Sequence, residues 1–202
     1  MAQPKAVIWD IGNVLLDWSP DYLYRTIMPD DAARAAFFAR YPFDEMNLDG
    51  DRGRLQPVVE ALAEKHPEDA PLILAWWAGW DRMCGGLLEG SIALRDRVRA
   101  AGIPCWALTN FAADTWPRCE ALYPAMTAFD GMVVSGREGV VKPDPRIYEL
   151  IEQRTGLAGD ALFFLDDRSA NIDAATERGW RGHLFVDAAG AETALRDAGV
   201  AL

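Results

Sequence analysis

Ala6-Val7-Ile8-Trp9-Asp10-Ile11-Gly12-Asn13-Val14-Leu15 is the stretch from which the fold of this chain is read. Four apolar residues run together and then meet an aspartate. A strand with one wet face would alternate apolar and polar residues. An unbroken run fits a strand buried on both faces, as in a parallel α/β sheet. An acidic residue at the C-terminal end of such a strand lies where open parallel sheets bind ligands.

Outward from this stretch the same pattern returns. Apolar runs at residues 103–108, 131–134 and 161–165 end near Thr109-Asn110, Lys142 and Asp166-Asp167, and residues 183–186 read as a last strand. Amphipathic helical patterns lie between them. Residues 91–101 carry Ile92, Leu94 and Val98 and stop at Gly102; residues 145–154 carry Ile147, Leu150 and Ile151; residues 170–178 end at Gly179. Alternating strands and helices predict an α/β fold with a Rossmann-like parallel sheet.

Residues 18–89 read differently, with helical signals and no convincing strand. Ser19-Pro20 is an N-cap followed by proline at the first helical position. Asp30 opens a second helix that stops before Pro42. Leu55, Val58, Val59 and Leu62 space a third, and Leu72, Ala75, Trp76 and Trp80 a fourth. The expected organisation is an α/β core from residues 1–17 and 90–202, with an all-α insert at 18–89.

The composition narrows the function. The chain has 202 residues, half of them apolar, with a formal net charge of −11 and no cluster of lysines and arginines. Nucleic acid and anionic membranes reward basic patches, so neither is an expected partner. Cys84, Cys105 and Cys119 lack metal-ligand spacing and read as reduced thiols. Met1–Lys5 is too short and polar for a signal peptide, and no run approaches the roughly 20 residues of a membrane span. The cytoplasm is the expected compartment.

Asp10, Thr109, Asn110, Lys142, Asp166 and Asp167 all fall at strand ends. Singly, each is an ordinary turn or cap residue. Together they set an electrostatic problem, because carboxylates about 4 Å apart at an effective dielectric near 20 repel by about 4 kcal/mol. A hard, oxygen-seeking Mg²⁺ removes that penalty. A lysine and a hydroxyl beside it complete a cradle for a phosphoryl group.

In their order, Val7 to Leu15, Leu108-Thr109-Asn110, Lys142-Pro143, and Phe164-Leu165-Asp166-Asp167-Arg168-Ser169-Ala170-Asn171 resemble the four motifs of the haloacid dehalogenase superfamily. The insert resembles the small α-helical cap of its subfamily IA. The resemblance implies a Mg²⁺-dependent phosphatase acting on a small phosphorylated metabolite such as a sugar phosphate. Asp10 would be the nucleophile that forms an aspartyl-phosphate. Thr109 and the Asn110 N–H would hold phosphoryl oxygens, and Lys142 would offset the negative charge. Asp10, the Gly12 carbonyl, Asp166 and Asp167 would hold the metal.

One position departs from that pattern. Phosphatases of the family carry a second aspartate two residues after the nucleophile, as general acid and base, and here Gly12 stands there. General acid–base catalysis is typically worth 10²–10⁴-fold. A carboxylate of the insert, such as Asp44, Glu45 or Asp49, could substitute. The change also opens two alternatives: a metal-independent 2-haloacid dehalogenase, and a non-catalytic protein that binds a phosphorylated ligand. Asn13 follows where the pattern has glycine, and asparagine tolerates a positive φ. Trp76, Trp77 and Trp80 read as the core of the insert or its seam with the sheet. His66 and His183 have no assigned role, Arg168 reads as a surface residue, and Asn171 as a residue that fixes its loop.

Overall fold

A computed structural model describes residues 3–202; Met1 and Ala2, the start of the polar stretch Met1–Lys5, lie outside the described residues. The strands in chain order are β1 (Ala6–Trp9), β2 (Leu16–Trp18), β3 (Cys84–Leu87), β4 (Cys105–Thr109), β5 (Gly131–Val134), β6 (Leu162–Asp166) and β7 (Arg181–Leu184). Five of them form one parallel sheet in the order β5-β4-β1-β6-β7.

β1 is central, between β4 and β6, and each of its four residues has no exposed surface. Side chains alternate across a strand, and here both faces are covered. Val7 and Trp9 enter one apolar cluster with Leu94, Val98, Phe163 and Leu165. Ala6 and Ile8 enter the other with Ile147, Tyr148, Ile151 and Phe164. The unbroken apolar run at residues 6–9 is the direct consequence. The chain leaves β1 for β4 on one side and returns to β6 on the other, so the ends of β1, β4 and β6 converge on one crevice.

Between β2 and β3 lie five helices, Pro20–Ile27, Asp31–Arg40, Phe43–Asp51, Leu55–Lys65 and Ala70–Ala78. The expected caps form: the Ser19 side chain accepts from the Asp21 N–H, and Asp30 accepts from the Ala33 N–H at 2.7 Å. Two expectations for this segment are corrected. It carries a fifth helix, Phe43–Asp51, which lacks a side-chain cap and contains Asn47, Asp49 and Gly50, all poor helix formers. It also begins and ends in strands, because β2 pairs antiparallel with β3. Both are short, and the two glycines of β3 hide its periodicity.

In the sheet, the last strand is shifted from the expected 183–186 to Arg181–Leu184, since Arg181 and Gly182 pair with Phe163 and Phe164. It is an edge strand, and Val186 beyond it is 82% exposed. Helices Trp116–Leu122, Ser135–Glu138 and Ala188–Asp197 lie outside the expected set. Among the described residues, no helix is long and apolar enough to cross a membrane. The three cysteines are free, and burial pushes each thiol up to about 12. None is poised as a thiolate nucleophile.

Candidate active site

Asp10 leaves the end of β1 tied to the neighbouring strand, its N–H donating to the Leu165 carbonyl at 2.9 Å. The chain then turns sharply, and the Asn13 N–H donates back to the Leu16 carbonyl at 2.7 Å. Asn13 takes a φ of 55°, the left-handed conformation that asparagine accepts and most side chains resist. Gly12 sits in this turn, with no atom within 4 Å of where a Cβ would stand. The glycine is therefore not there to avoid a clash.

Lys142 gathers the site. Its buried Nζ lies 2.8 Å from Asp10 Oδ1 and 2.7 Å from Asp166 Oδ2, and donates to the Leu108 carbonyl at 2.9 Å. Burial works against its charge, but Asp10 and Asp166 outweigh it and hold the ammonium above its ordinary pKa. The Asn110 side chain positions this lysine by bonding its backbone both ways. It accepts from the Lys142 N–H at 2.7 Å and donates to the Lys142 carbonyl at 3.0 Å.

Asp166 is fully buried and already occupied. Its Oδ1 accepts from the Arg168 N–H and Asn171 Nδ2, each at 2.9 Å, while Oδ2 accepts from Lys142 and from Asn171 Nδ2 at 3.1 Å. Asn171 fixes this loop, as its place in the sequence suggested. Asp10 is less fully used. Oδ1 takes both Lys142 and the Ile11 N–H at 2.7 Å, and Oδ2 has no hydrogen-bond partner among the described residues. Burial pushes the Asp10 carboxyl up, with Asp166 and Asp167 adding to the effect and Lys142 opposing it. Asp167 is half-buried and raised for the same reason, desolvation first and then the Asp166 charge.

One carboxylate oxygen from each of Asp10, Asp166 and Asp167 lies within 4.8 Å of the others. A single lysine cannot neutralise three carboxylates. The donor set is all oxygen, which suits a hard divalent cation rather than zinc or copper. The residues fit Mg²⁺.

A cavity of about 580 Å³ opens above these groups, of a size that takes a small molecule. The strand ends contribute Asp10, Gly12, Asn110, Lys142 and Asp167, and the helical segment contributes Trp18, Leu48, Asp51, Trp76 and Trp80. Thr109 is buried behind the wall and does not line the cavity. Trp76 stacks on Phe43 with ring centres 5.0 Å apart, inside a cluster with Tyr24 and Phe38, and Trp80 meets Phe111 edge-on across the seam.

The helical segment is pinned to the sheet loops beside this cavity. Ser135 Oγ donates to the Asp51 carbonyl at 2.6 Å, and the Ala113 N–H to the Gly53 carbonyl at 2.7 Å. Asp114 caps the helix Leu55–Lys65 from outside, accepting from the Leu55 and Gln56 N–H groups at 2.9 and 3.1 Å. The fit is close enough to need Gly136, whose Cβ would strike the backbone of Gly53, Phe111 and Ala113. None of these pins is legible in the sequence, since each joins residues far apart in the chain.

Asp51 is the acidic residue of the cavity that sequence reasoning missed. Burial, and then the Asp10 charge, push its carboxyl up to about 7, against Lys142 and the Ala112 N–H. By contrast Asp44, Glu45 and Asp49 are exposed, and Asp49 does not line the cavity.

Comparison with known proteins gives one family. A family model described as haloacid dehalogenase-like hydrolase matches residues 4–179. The chain is 24% identical over 188 residues to the sesquiterpene phosphatase astK of Aspergillus oryzae, covering 91% of this chain and 90% of that one. A haloacid dehalogenase family enzyme of Bacteroides thetaiotaomicron, crystallised with magnesium and inorganic phosphate, superposes with a TM-score of 0.70 at 18% identity, over 91% of this chain and 95% of that one. A dehalogenase superposes with a TM-score of 0.68 at 16% identity, over 90% and 84%. The two structural likenesses establish the fold that these proteins share.

Proposed function

Because the chain belongs to the haloacid dehalogenase-like hydrolase family, and is thus a hydrolytic enzyme, we propose that it is a Mg²⁺-dependent phosphatase of small phosphomonoesters. In this reading residues 18–89 are the cap of a core formed by 1–17 and 90–202. One observation carries it. The buried Lys142 bridges Asp10 and Asp166, and Asp167 completes a carboxylate cluster that one lysine leaves under-neutralised.

Asp10, the Gly12 carbonyl and Asp167 would hold the cation, with Asp166 bound mainly to Lys142 and Asn171. When bound, the cation would screen the nucleophile from its anionic substrate and stabilise charge on the transferring group. Lys142 and the Ile11 N–H hold Oδ1 of Asp10 and so leave Oδ2 to attack. The bond from Oδ2 to phosphorus forms as the bond to the leaving oxygen breaks. Water then cleaves the aspartyl-phosphate, releasing inorganic phosphate and restoring the carboxylate. The Asn110 N–H would hold a phosphoryl oxygen. Thr109 would need to reach past the cavity wall to join it.

The cavity also limits the substrate. Among the described residues, Lys142 and Arg168 are its only cationic lining residues, and Asp44 and Glu45 add negative charge to the lining. A second anionic group on the substrate would be repelled, so an uncharged organic part is favoured. A sugar phosphate meets that condition. The apolar faces of Trp18, Leu48 and Phe111 would also accept a more hydrocarbon-like alcohol. The dehalogenase alternative gains nothing from Asp166 and Asp167, because displacement of halide needs no cation site. The cytoplasm is the compartment in which we place the activity.

A panel of sugar and alcohol phosphates, assayed with and without Mg²⁺, tests this reading. Phosphate release that EDTA abolishes and Mg²⁺ restores is expected. EDTA-insensitive hydrolysis, or release of chloride from 2-chloropropionate in its place, would refute it.

A further inference from the structure

We infer that Asp51 is the general acid and base of this reaction, supplying from the helical segment the carboxylate that position 12 lacks. The inference rests on the phosphatase reading above. In-line transfer fixes where such a group must stand: the leaving oxygen departs on the side of phosphorus opposite the nucleophile. Asp10 rises from the strand ends, and the helical segment closes the cavity facing them. Asp51 lines the same cavity from that segment, at its seam with the sheet loops.

Its carboxylate is aimed rather than loose. Trp76 Nε1 donates to Asn47 Oδ1 at 3.2 Å, and Asn47 Nδ2 donates to Asp51 Oδ2 at 3.2 Å, one helical turn away. Trp76 is itself buried and stacked on Phe43, so the relay starts from a fixed ring. The Ser135 bond to the Asp51 carbonyl holds the backbone to the sheet loops. The carboxyl is thus oriented by Asn47 on one side, and the Ala112 N–H of the loop after β4 also bonds to it. Burial and the Asp10 charge push the Asp51 carboxyl up to about 7, while Lys142 and the Ala112 N–H oppose them. Asp44 and Glu45 are exposed, and Asp49 is exposed and paired with Arg52.

In the first half-reaction protonated Asp51 gives its proton to the leaving alkoxide as the phosphorus–oxygen bond breaks, yielding the alcohol and the aspartyl-phosphate. In the second, the Asp51 carboxylate takes a proton from water as the water oxygen bonds to phosphorus and Asp10 departs. Proton and charge are restored at the end of the cycle.

Leaving-group dependence tests the assignment. p-Nitrophenolate leaves without a proton, whereas an alkoxide needs one. Asp51→Asn is expected to lower kcat/KM about 10²–10⁴-fold for an aliphatic alcohol phosphate, and less than about tenfold for p-nitrophenyl phosphate. With the latter it should show a burst near one p-nitrophenolate per active site, because hydrolysis of the intermediate has lost its base. Asn47→Ala keeps the carboxylate but frees it, and should give the same selectivity at smaller size. Equal losses on both esters, or wild-type rates on both, would overturn the assignment alone. A wild-type protein inactive on every phosphate ester would instead sink the phosphatase reading, and the assignment with it.

Discussion

Asp10→Asn is expected to cut kcat/KM for any phosphate ester by more than about 10⁴-fold, because no other group can take the place of a covalent nucleophile. The loss should not come from unfolding. Burial pushes the Asp10 carboxyl up, so keeping it ionised costs stability at neutral pH. The amide removes that cost and still offers Lys142 an oxygen. In metal-free buffer at pH 7.5 the variant should therefore melt no lower than the wild type, while Mg²⁺ should stabilise it less. Calorimetric Tm values with and without Mg²⁺, measured beside the rates, check both halves. A variant that keeps activity, or that loses it only by unfolding, would contradict this account.

Lys142→Met should have the largest effect on stability. Removing one partner from a buried ion pair typically costs 3–5 kcal/mol, since the remaining charge is left without compensation. Here two carboxylates, Asp10 and Asp166, lose their bridge together. The Asp10 carboxyl, already pushed up by burial, would lose the Lys142 charge that opposes this and rise further above its unfolded value. A carboxyl raised in this way binds more protons folded than unfolded, so stability is retained at low pH and falls as pH rises from about 4 through the folded value. Urea unfolding at pH 5 and pH 8 should show a small deficit at the lower pH and the full deficit at the higher. Mg²⁺ should recover part of it at pH 8. A deficit equal at both values, or untouched by Mg²⁺, would mean that Lys142 matters for packing rather than charge.

How far the sequence could be read followed from burial. β1, β4 and β6 lie inside the sheet and are covered on both faces, so each leaves an apolar run that needs no partner to be recognised, while β5 at one edge keeps only Val133 and Val134 buried. β7 at the sheet edge and the short β2–β3 pair depend on neighbours that a linear reading cannot place. The site divides in the same way. Asp10, Lys142 and Asp166-Asp167 could be read together because the topology brings strand ends to one edge; Lys142 lies within bonding distance of Asp10 and Asp166, and one Asp167 oxygen lies within 4.8 Å of theirs. Asn110 also reaches the cavity, though its side chain is spent on the Lys142 backbone. Thr109 stays behind the wall.

Asp51 was not legible. It ends a helix that breaks the usual propensities, and it gains its place through Trp76, 25 positions on, and Ser135, 84 positions on. Its one local signal is an amide and a carboxylate spaced i,i+4 at Asn47 and Asp51, which many surface helices share. Gly12 was readable as a missing carboxylate. What replaces it depends on a cavity built from both halves of the structure.

Hydrolysis in ¹⁸O-labelled water tests most directly whether water attacks at phosphorus or at the Asp10 carboxyl carbon. Water that opens an aspartyl-phosphate at phosphorus leaves the label in inorganic phosphate, and the peptide carrying Asp10 keeps its natural mass through a single turnover. Label in the Asp10 carboxylate would mean that water attacked an ester at its carbon, as in carbon–halogen hydrolysis, and would contradict the account.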